Sequence, residues 1–207
     1  MKPRFDISGN IGSGNACATD LAEFFAQNLG SVTICINSGG GSAAEGAAMM
    51  AEVERHGKVT TYIQGICASA ATLPAVAGRT IIMHPAAMFM IHEPYAMAEG
   101  TADQHRSAAD ALEKMSGTYA AAYARHTGHP VKTIAAWMKQ ETWLTADEAL
   151  ELNFCDRIEA LETGPQMVAA FDYSKFRGAP RHLLRLAREN GWGTGSPNHQ
   201  STEKQNA

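Results

Sequence analysis

The segment Val32-Thr-Ile-Cys-Ile-Asn-Ser-Gly-Gly-Gly41-Ser-Ala-Ala-Glu45 decides the fold class of this chain. Its first five residues are apolar or β-branched, which is typical of a buried strand. Three glycines follow, and Ser42 with Glu45 forms the S-x-x-E pattern that caps the amino terminus of a helix. The segment therefore predicts a strand, a tight glycine turn and a helix in direct succession.

The same alternation extends on both sides of this segment. Helices are predicted at residues 16–29 and 43–55, and two further capping patterns, at Thr101 and Thr145, predict a long helix to about His126 and a short one to about Asn153. Strands are predicted at Phe5–Ile7, Val32–Ile36, Val59–Ile63, Thr80–Met83 and Met88–Ile91. Because strands separated by helices usually pair in parallel, the sequence predicts an α/β fold.

The composition indicates a folded chain that associates with itself. Of 207 residues, 45% are hydrophobic and only 18% are charged, which excludes a disordered chain. Such a low charge suggests that part of the surface is covered by other copies. The long helix also carries an apolar stripe that we expect to pack partly on another copy, formed by Ala108, Leu112, Met115, Tyr119, Ala122 and His126.

Charge and cysteine content exclude several classes of partner. The net charge is −4 and no long basic stripe occurs, so neither nucleic acid nor a membrane is expected as a partner. The uncharged run at 59–78 contains too many polar residues for a membrane span. The four cysteines form no CxxC pair, and no secretory signal begins the sequence, so we expect a cytoplasmic protein with reduced thiols.

Candidate reactive groups stand at two strand-to-turn junctions. Ser69 lies among small residues that would let a substrate backbone approach, although it could equally be a helix cap or a packing residue. Cys67 is a rival nucleophile, although a thiol beside alanines is more often inert. His92 follows the strand Met88–Ile91 and is the candidate base. Because the sequence after His92 does not continue as HExxH, we expect no metal.

The glycine run Gly39–Gly41 frees backbone N–H groups that could bind an anion or an oxyanion. No lysine follows it as in a phosphate-binding loop, and its spacing is not GxGxxG. Nucleotide binding is therefore disfavoured, and no cofactor is expected.

Four motifs in this order resemble the Clp protease proteolytic subunit family (ClpP), and in particular its phage-encoded head-maturation branch. Ile36-Asn-Ser-Gly-Gly-Gly41 resembles the family's I-N-S-P-G-G, with Gly39 in place of proline, and Gly65-Ile-Cys-Ala-Ser69-Ala-Ala resembles its G-x-A-A-S-x-G. The resemblance covers about residues 5–158. The other two motifs, similar to M-I-H-Q-P and F-L-S-A-x-E-A-x-x-x-G-L-V-D, are Met90-Ile-His92-Glu-Pro94 and Trp143-Leu-Thr-Ala-Asp-Glu-Ala-Leu followed by Asn153-Phe-Cys-Asp156.

The resemblance implies a catalytic role for five residues. It implies that Ser69 is the nucleophile and His92 its general base. It further implies that the backbone N–H groups of Gly41 and Ala70 form an oxyanion hole. Alignment of the Trp143 motif without a gap places Glu141 where the family has aspartate, so the third triad member is predicted to be one methylene longer.

The resemblance also implies an architecture and an activity. The fold would be a crotonase-like, ClpP-type ββα superhelix with a long handle helix, forming a peptidase domain at 1–160. Beyond it, the shift in composition after Glu162 predicts an extension at 161–207 with a basic helix and a disordered tail. The chain would form a homo-oligomer of one or two heptameric rings, acting as a serine endopeptidase on unfolded polypeptides, in phage prohead maturation. An ATP-driven unfoldase or phage capsid proteins would be its partners.

Two other functions stay open at this point. The altered positions Gly39 and Glu141 favour a non-catalytic ClpP-like assembly or scaffold subunit. An acyl-CoA hydratase or isomerase of the crotonase fold is less favoured, since it would need catalytic glutamates near the oxyanion turn.

Overall fold

The computed structural model of the protein describes residues 2–160 and 169–193. These residues form one sheet of seven strands: β1 (Arg4–Ile11), β2 (Val32–Gly41), β3 (Val59–Ala68), β4 (Thr80–Met83), β5 (Met88–Ile91), β6 (Thr142–Thr145) and β7 (Arg157–Ile158). Their helices are α1 (Ala18–Gln27), α2 (Ala43–His56), α3 (Thr72–Val76), α4 (Ala102–Thr127), α5 (Val131–Gln140), α6 (Ala146–Glu151) and α7 (Arg181–Glu189). The predicted α/β class is confirmed.

The sheet divides at β3. Strands β1, β2, β3, β4 and β7 lie side by side in parallel, and the first half of β3 pairs with β4 as far as Ile63 and Met83. From Ile66 onward β3 leaves β4 and pairs in parallel with β5, which in turn pairs with the antiparallel strand β6. This split brings the carboxyl ends of β3 and β5 and the amino end of β6 to one edge of the sheet.

Strands β2 and β3 form the centre of the core. Both are buried along most of their length, without the alternation of a half-exposed strand, because other elements cover both faces of the sheet. The main cluster joins Ile34, Ile36 and Ile63 to Met49 of α2 and to Phe154, which follows α6. Burial stabilises the fold by roughly 1.5–3 kcal/mol for each large side chain removed from water, and this cluster holds many such side chains.

The capping patterns begin the helices where the sequence predicts. Thr101 and Thr145 each form a reciprocal capping box, with Gln104 and Glu148 respectively. The long helix α4 ends at Gly128, whose left-handed backbone accommodates the helix end. Its residues 102–107 are all exposed, whereas its last turns bury side chains against the core. Within this chain, therefore, only the carboxyl-terminal part of α4 is packed.

Residues 169–193, here termed the C-terminal segment, pack on the second half of the sheet. Their apolar side chains form a cluster with Ile66, Ala68 and Met90, contributed by Ala169, Tyr173, Phe176, Ala179, Leu183 and Ala187. The predicted basic helix is α7, which exposes its arginines and buries Leu183 and Ala187. The predicted disordered tail, about the last dozen residues, lies outside the described residues. Across the described ranges, no helix is both long and apolar enough to cross a bilayer.

Candidate active site

Ser69 lies at a strained turn where β3 ends. It begins a single turn of 3₁₀ helix with a backbone φ of +57°, a conformation that non-glycine residues rarely adopt. The hydroxyl of Thr72 donates to the Ser69 carbonyl at 2.5 Å and lies 2.7 Å from the Tyr123 hydroxyl, which anchors the turn. Ser69 is only partly buried, so its side chain is accessible. Backbone strain of this kind concentrates at functional sites.

His92 meets Ser69 because of the register of β3 and β5. These parallel strands pair Ala68 with Met90, so the residues that follow each strand emerge at the same edge. The Oγ of Ser69 and the Nε2 of His92 are 2.7 Å apart, which is a hydrogen-bonding distance. The structure thus brings together the two reactive residues that the sequence predicts.

The surroundings of His92 keep its imidazole neutral. Burial lowers the pKa of His92 below its ordinary value of 6.5, and the Arg177 guanidinium lowers it further, whereas the Glu141 carboxylate acts in the opposite direction. A neutral Nε2 can accept a proton from a hydroxyl at neutral pH. The predicted base is therefore in the protonation state that the role requires.

The rival nucleophile Cys67 is poorly suited to chemistry. Its side chain is fully buried, and its Sγ lies 3.4 Å from the carbonyl oxygen of Ala71. Burial raises the pKa of this thiol well above its usual range, so the reactive thiolate is disfavoured. Cys67 is therefore a core residue, whereas Ser69, two positions later, carries an accessible hydroxyl.

The glycine run continues β2 rather than forming a separate turn, which corrects the local prediction. After a register shift, Asn10 and Ile11 of β1 pair with Gly40 and Gly41. Gly40 has φ of +103°, and a Cβ there would lie 2.7 Å from the Cβ of Ser69. Only glycine lets β2 approach the serine turn so closely. The oxyanion role of the Gly41 and Ala70 amides stays a prediction.

Glu141 lies across the strands from His92 but contacts another part of the chain. Antiparallel pairing of Ile91 with Thr142 brings the preceding residue, Glu141, opposite His92. Its buried carboxylate accepts hydrogen bonds from the backbone N–H groups of Arg177 (2.9 Å) and Gly178 (2.5 Å).

The indole Nε1 of Trp143 is the third donor to Glu141, at 3.2 Å. His92 is not among the donors to this carboxylate in the described part of the chain. Glu141 therefore acts on His92 through its charge and not through a hydrogen bond in this structure. Its role as the triad acid stays a prediction.

The C-terminal segment contributes aromatic residues to the site, which the sequence analysis missed. Phe176 packs edge-on against the His92 ring, with centroids 5.4 Å apart, and stacks on Phe171 at the same separation. The Phe171 ring lies against Gly39, where an added Cβ would be 2.2 Å from its Cγ. The one signal of this contact in the sequence is Gly39, which stands where the family motif has proline.

Ser69 lines two cavities. One, of about 220 Å³, is lined by Gly39, Gly41, Ser69 and the aromatic residues of the C-terminal segment. The other, of about 20 Å³, is lined by Ser69, His92 and Tyr123. A chain passing over Ser69 can therefore place a side chain in the larger cavity, which we term the groove.

An accessible serine at a strained strand end, hydrogen-bonded to a histidine, is the pairing of nucleophile and base that serine hydrolases use. The family model for Clp protease matches residues 21–161. The chain belongs to the Clp protease family.

Individual relatives agree with this assignment. The ATP-dependent Clp protease proteolytic subunit 3 of Rhodococcus jostii (strain RHA1) is 33% identical over 132 residues, which are 61% of this chain and 64% of that protein. The ATP-dependent Clp protease proteolytic subunit of Streptococcus salivarius is 29% identical over 139 residues, covering 65% of this chain and 71% of that protein. The chain thus spans slightly less than two thirds of the Rhodococcus relative.

A solved structure shares the fold. A ClpP1 mutant from Listeria monocytogenes matches with a TM-score of 0.68 at 22% identity, over 77% of this chain and 92% of that one. The predicted ClpP-type α/β fold is confirmed. The C-terminal segment begins at residue 169, beyond the residues that the family model matches.

Proposed function

We propose that this chain is a serine endopeptidase that hydrolyses unfolded or flexible polypeptides. The observation that carries the proposal is the 2.7 Å contact between Ser69 Oγ and His92 Nε2, made by an accessible serine in a strained backbone conformation. A serine that merely caps a helix or fills a packed surface has no need of a positive φ or of a neutral imidazole beside its hydroxyl.

The proposed reaction begins with attack of Ser69 Oγ on a peptide carbonyl carbon. The Oγ proton passes to His92 Nε2 as the carbon–oxygen bond forms, and His92 then protonates the departing amine as the carbon–nitrogen bond breaks. Water hydrolyses the resulting ester, giving one proton back to His92 and restoring the serine hydroxyl. Proton transfers balance over the cycle, so no cofactor is needed.

The predicted oxyanion hole belongs to the same proposal. The glycine run lies directly against the serine turn, and Gly41 lines the groove together with Ser69. Two amides, from Gly41 and Ala70, would stabilise the tetrahedral intermediate, and the loss of one such donor typically costs about 3–4 kcal/mol of transition-state binding.

Assembly and partners are part of the proposal as well. The amino-terminal half of α4 is exposed along 102–107, and this supports a handle that packs on further copies of the chain. Several finer points stay predictions. They are the assembly into rings of seven subunits, an ATP-driven unfoldase or phage capsid proteins as partners, membership of the phage branch with a role in prohead maturation, and a cytoplasmic location.

One observation favours a second candidate, a non-catalytic assembly subunit. Among the described residues, the Glu141 carboxylate accepts hydrogen bonds from Arg177, Gly178 and Trp143 and not from His92, so it does not fix the tautomer of the imidazole in the usual way. The direct contact between Ser69 and His92 argues more strongly for catalysis.

Active-site labelling tests the proposal directly. A fluorophosphonate probe should label the purified protein at Ser69, as mapped by mass spectrometry, and casein hydrolysis should fall by about 10³-fold or more in Ser69→Ala. Ser31→Ala, at an exposed serine, and Cys67→Ala should keep both the labelling and the hydrolysis. A folded protein that neither reacts with the probe nor cleaves casein would instead be the assembly subunit.

A further inference from the structure

The C-terminal segment closes one side of the groove beside Ser69. Phe171, Lys175 and Phe176 line it opposite the glycine run, and Tyr95 and Asn10 complete it. This segment lies beyond the residues that the Clp protease family model matches. Part of the groove surface therefore comes from residues beyond the family match.

Two contacts hold the segment in register with the reactive groups. The Glu141 carboxylate accepts the N–H groups of Arg177 and Gly178, directly after the aromatic residues. Phe176 is almost fully buried between the His92 ring and Trp143. The groove wall is thus fixed to the same strand ends that position Ser69 and His92.

The shape of the wall depends on Gly39. The Phe171 ring occupies the space that any side chain at position 39 would need. A phenylalanine from the segment and a glycine in β2 therefore fit each other as a pair. The groove that results has aromatic surfaces on one side and backbone on the other.

Lys175 gives this groove its charge. Among the described residues that line the groove it is the one charged side chain, and its Nζ lies 5.9 Å from the centre of the Phe171 ring. Within the described ranges, no carboxylate lies at ion-pair distance from its ammonium group. The nearby Asp172 carboxylate instead accepts the Ser174 amide and hydroxyl.

We propose that the C-terminal segment is the specificity-determining wall of the site, and that Lys175 selects substrates with an acidic side chain next to the scissile bond. The proposal rests on the peptidase function proposed above. An extended peptide over Ser69 would place one side chain in a groove of about 220 Å³, against aromatic rings and below the ammonium group. A glutamate fits this combination, since its methylenes pack on the rings and its carboxylate pairs with Lys175.

Binding of matched peptides to the inactive variant tests the proposal apart from catalysis. Fluorescein-labelled ten-residue peptides with Glu, Gln or Lys at successive central positions are titrated against Ser69→Ala, with fluorescence anisotropy as the readout. At one position Glu should bind about 3–10-fold more tightly than Gln, as expected for one partly exposed charge pair. Adding Lys175→Glu should remove this preference and favour the Lys peptide, whereas adding Lys132→Glu, at an exposed lysine on α5, should leave it unchanged.

The same peptides with native Ser69 separate the two proposals. Hydrolysis without any Glu preference, or a preference that survives Lys175→Glu, overturns the role of Lys175 and leaves the peptidase proposal standing. Charge-selective binding without hydrolysis overturns the peptidase proposal alone. Absence of peptide binding at every position overturns the specificity wall.

Discussion

The strand ends that carry Ser69 and His92 contrast with the C-terminal segment that covers them. The first region is held by backbone register, since parallel pairing of β3 with β5 determines which residues emerge together. The second has no strand partner and is held by side chains, through Glu141, Phe171 and Phe176. Because the strand ends with Ser69 and His92 and the groove wall formed by the C-terminal segment are held by different interactions, each can be altered separately.

Among substitutions that distinguish the two regions, removal of the His92 imidazole should have the largest effect on peptide hydrolysis. His92→Ala should reduce peptide hydrolysis by about 10³-fold or more, because Ser69 then has no base, while the C-terminal segment keeps its contacts with Glu141. Steady-state kinetics and thermal unfolding measure the two consequences. His84→Ala, at a turn before β5, is the matched control and should retain activity. Equal activity of His92→Ala and the native protein would remove His92 from the mechanism.

The next largest effect should come from disturbing the contact between Gly39 and Phe171. Gly39→Ala inserts a methyl group into the Phe171 ring, so the segment must shift, and the free energy of unfolding should fall by about 1–3 kcal/mol in denaturant titrations. Gly30→Ala, where an added Cβ meets nothing within 4 Å, should be close to neutral.

A double-mutant cycle locates the origin of that loss. With Phe171→Ala in place, the further change Gly39→Ala should cost little, because the ring that it would strike is absent. Additive losses in the cycle would mean that the cost arises within β2 and not between the two regions.

The core could be predicted from sequence because its signals are local. Strands β4 and β5 occur at the predicted residues, and the capping boxes at Thr101 and Thr145 begin helices where expected. Some elements without such a local signal were missed or misjudged. Helix α5 was not foreseen, and β2 continues through its glycines because pairing with β1 outweighs their tendency to turn.

The site shows the same limit. Ser69 and His92 were predicted because each stands in a motif that resembles the Clp protease family, and the pairing of β3 with β5 then brings them together. The hydrogen bonds from Arg177 and Gly178 to Glu141 span 36 and 37 residues and follow no periodic pattern. Such contacts depend on tertiary packing, so the sequence could place Glu141 opposite His92 without revealing what its carboxylate binds.

Glu141→Gln should reduce kcat/KM by about tenfold, because it weakens the charge-assisted hold on the C-terminal segment and removes a charge that favours protonated His92. Glu141→Asp retains the charge and should retain more activity. The measurement is kcat/KM against pH together with peptide binding. A loss as large as that of His92→Ala would instead place Glu141 in the triad, with a hydrogen bond to His92 formed during catalysis.

The smallest expected effect is a displacement of the pH profile. Activity requires neutral His92, whose pKa burial lowers below 6.5, so kcat/KM should rise with pH through a midpoint below 6.5 and then level off. Arg177 also lowers this pKa, so Arg177→Gln should raise the midpoint, and added salt should shrink the difference between the two proteins because the charge of Arg177 is exposed. Arg188→Gln, at an arginine that does not act on the pKa of His92, should leave the midpoint in place. If both substitutions move it equally, the profile reflects the net charge of the C-terminal segment and not its position beside His92.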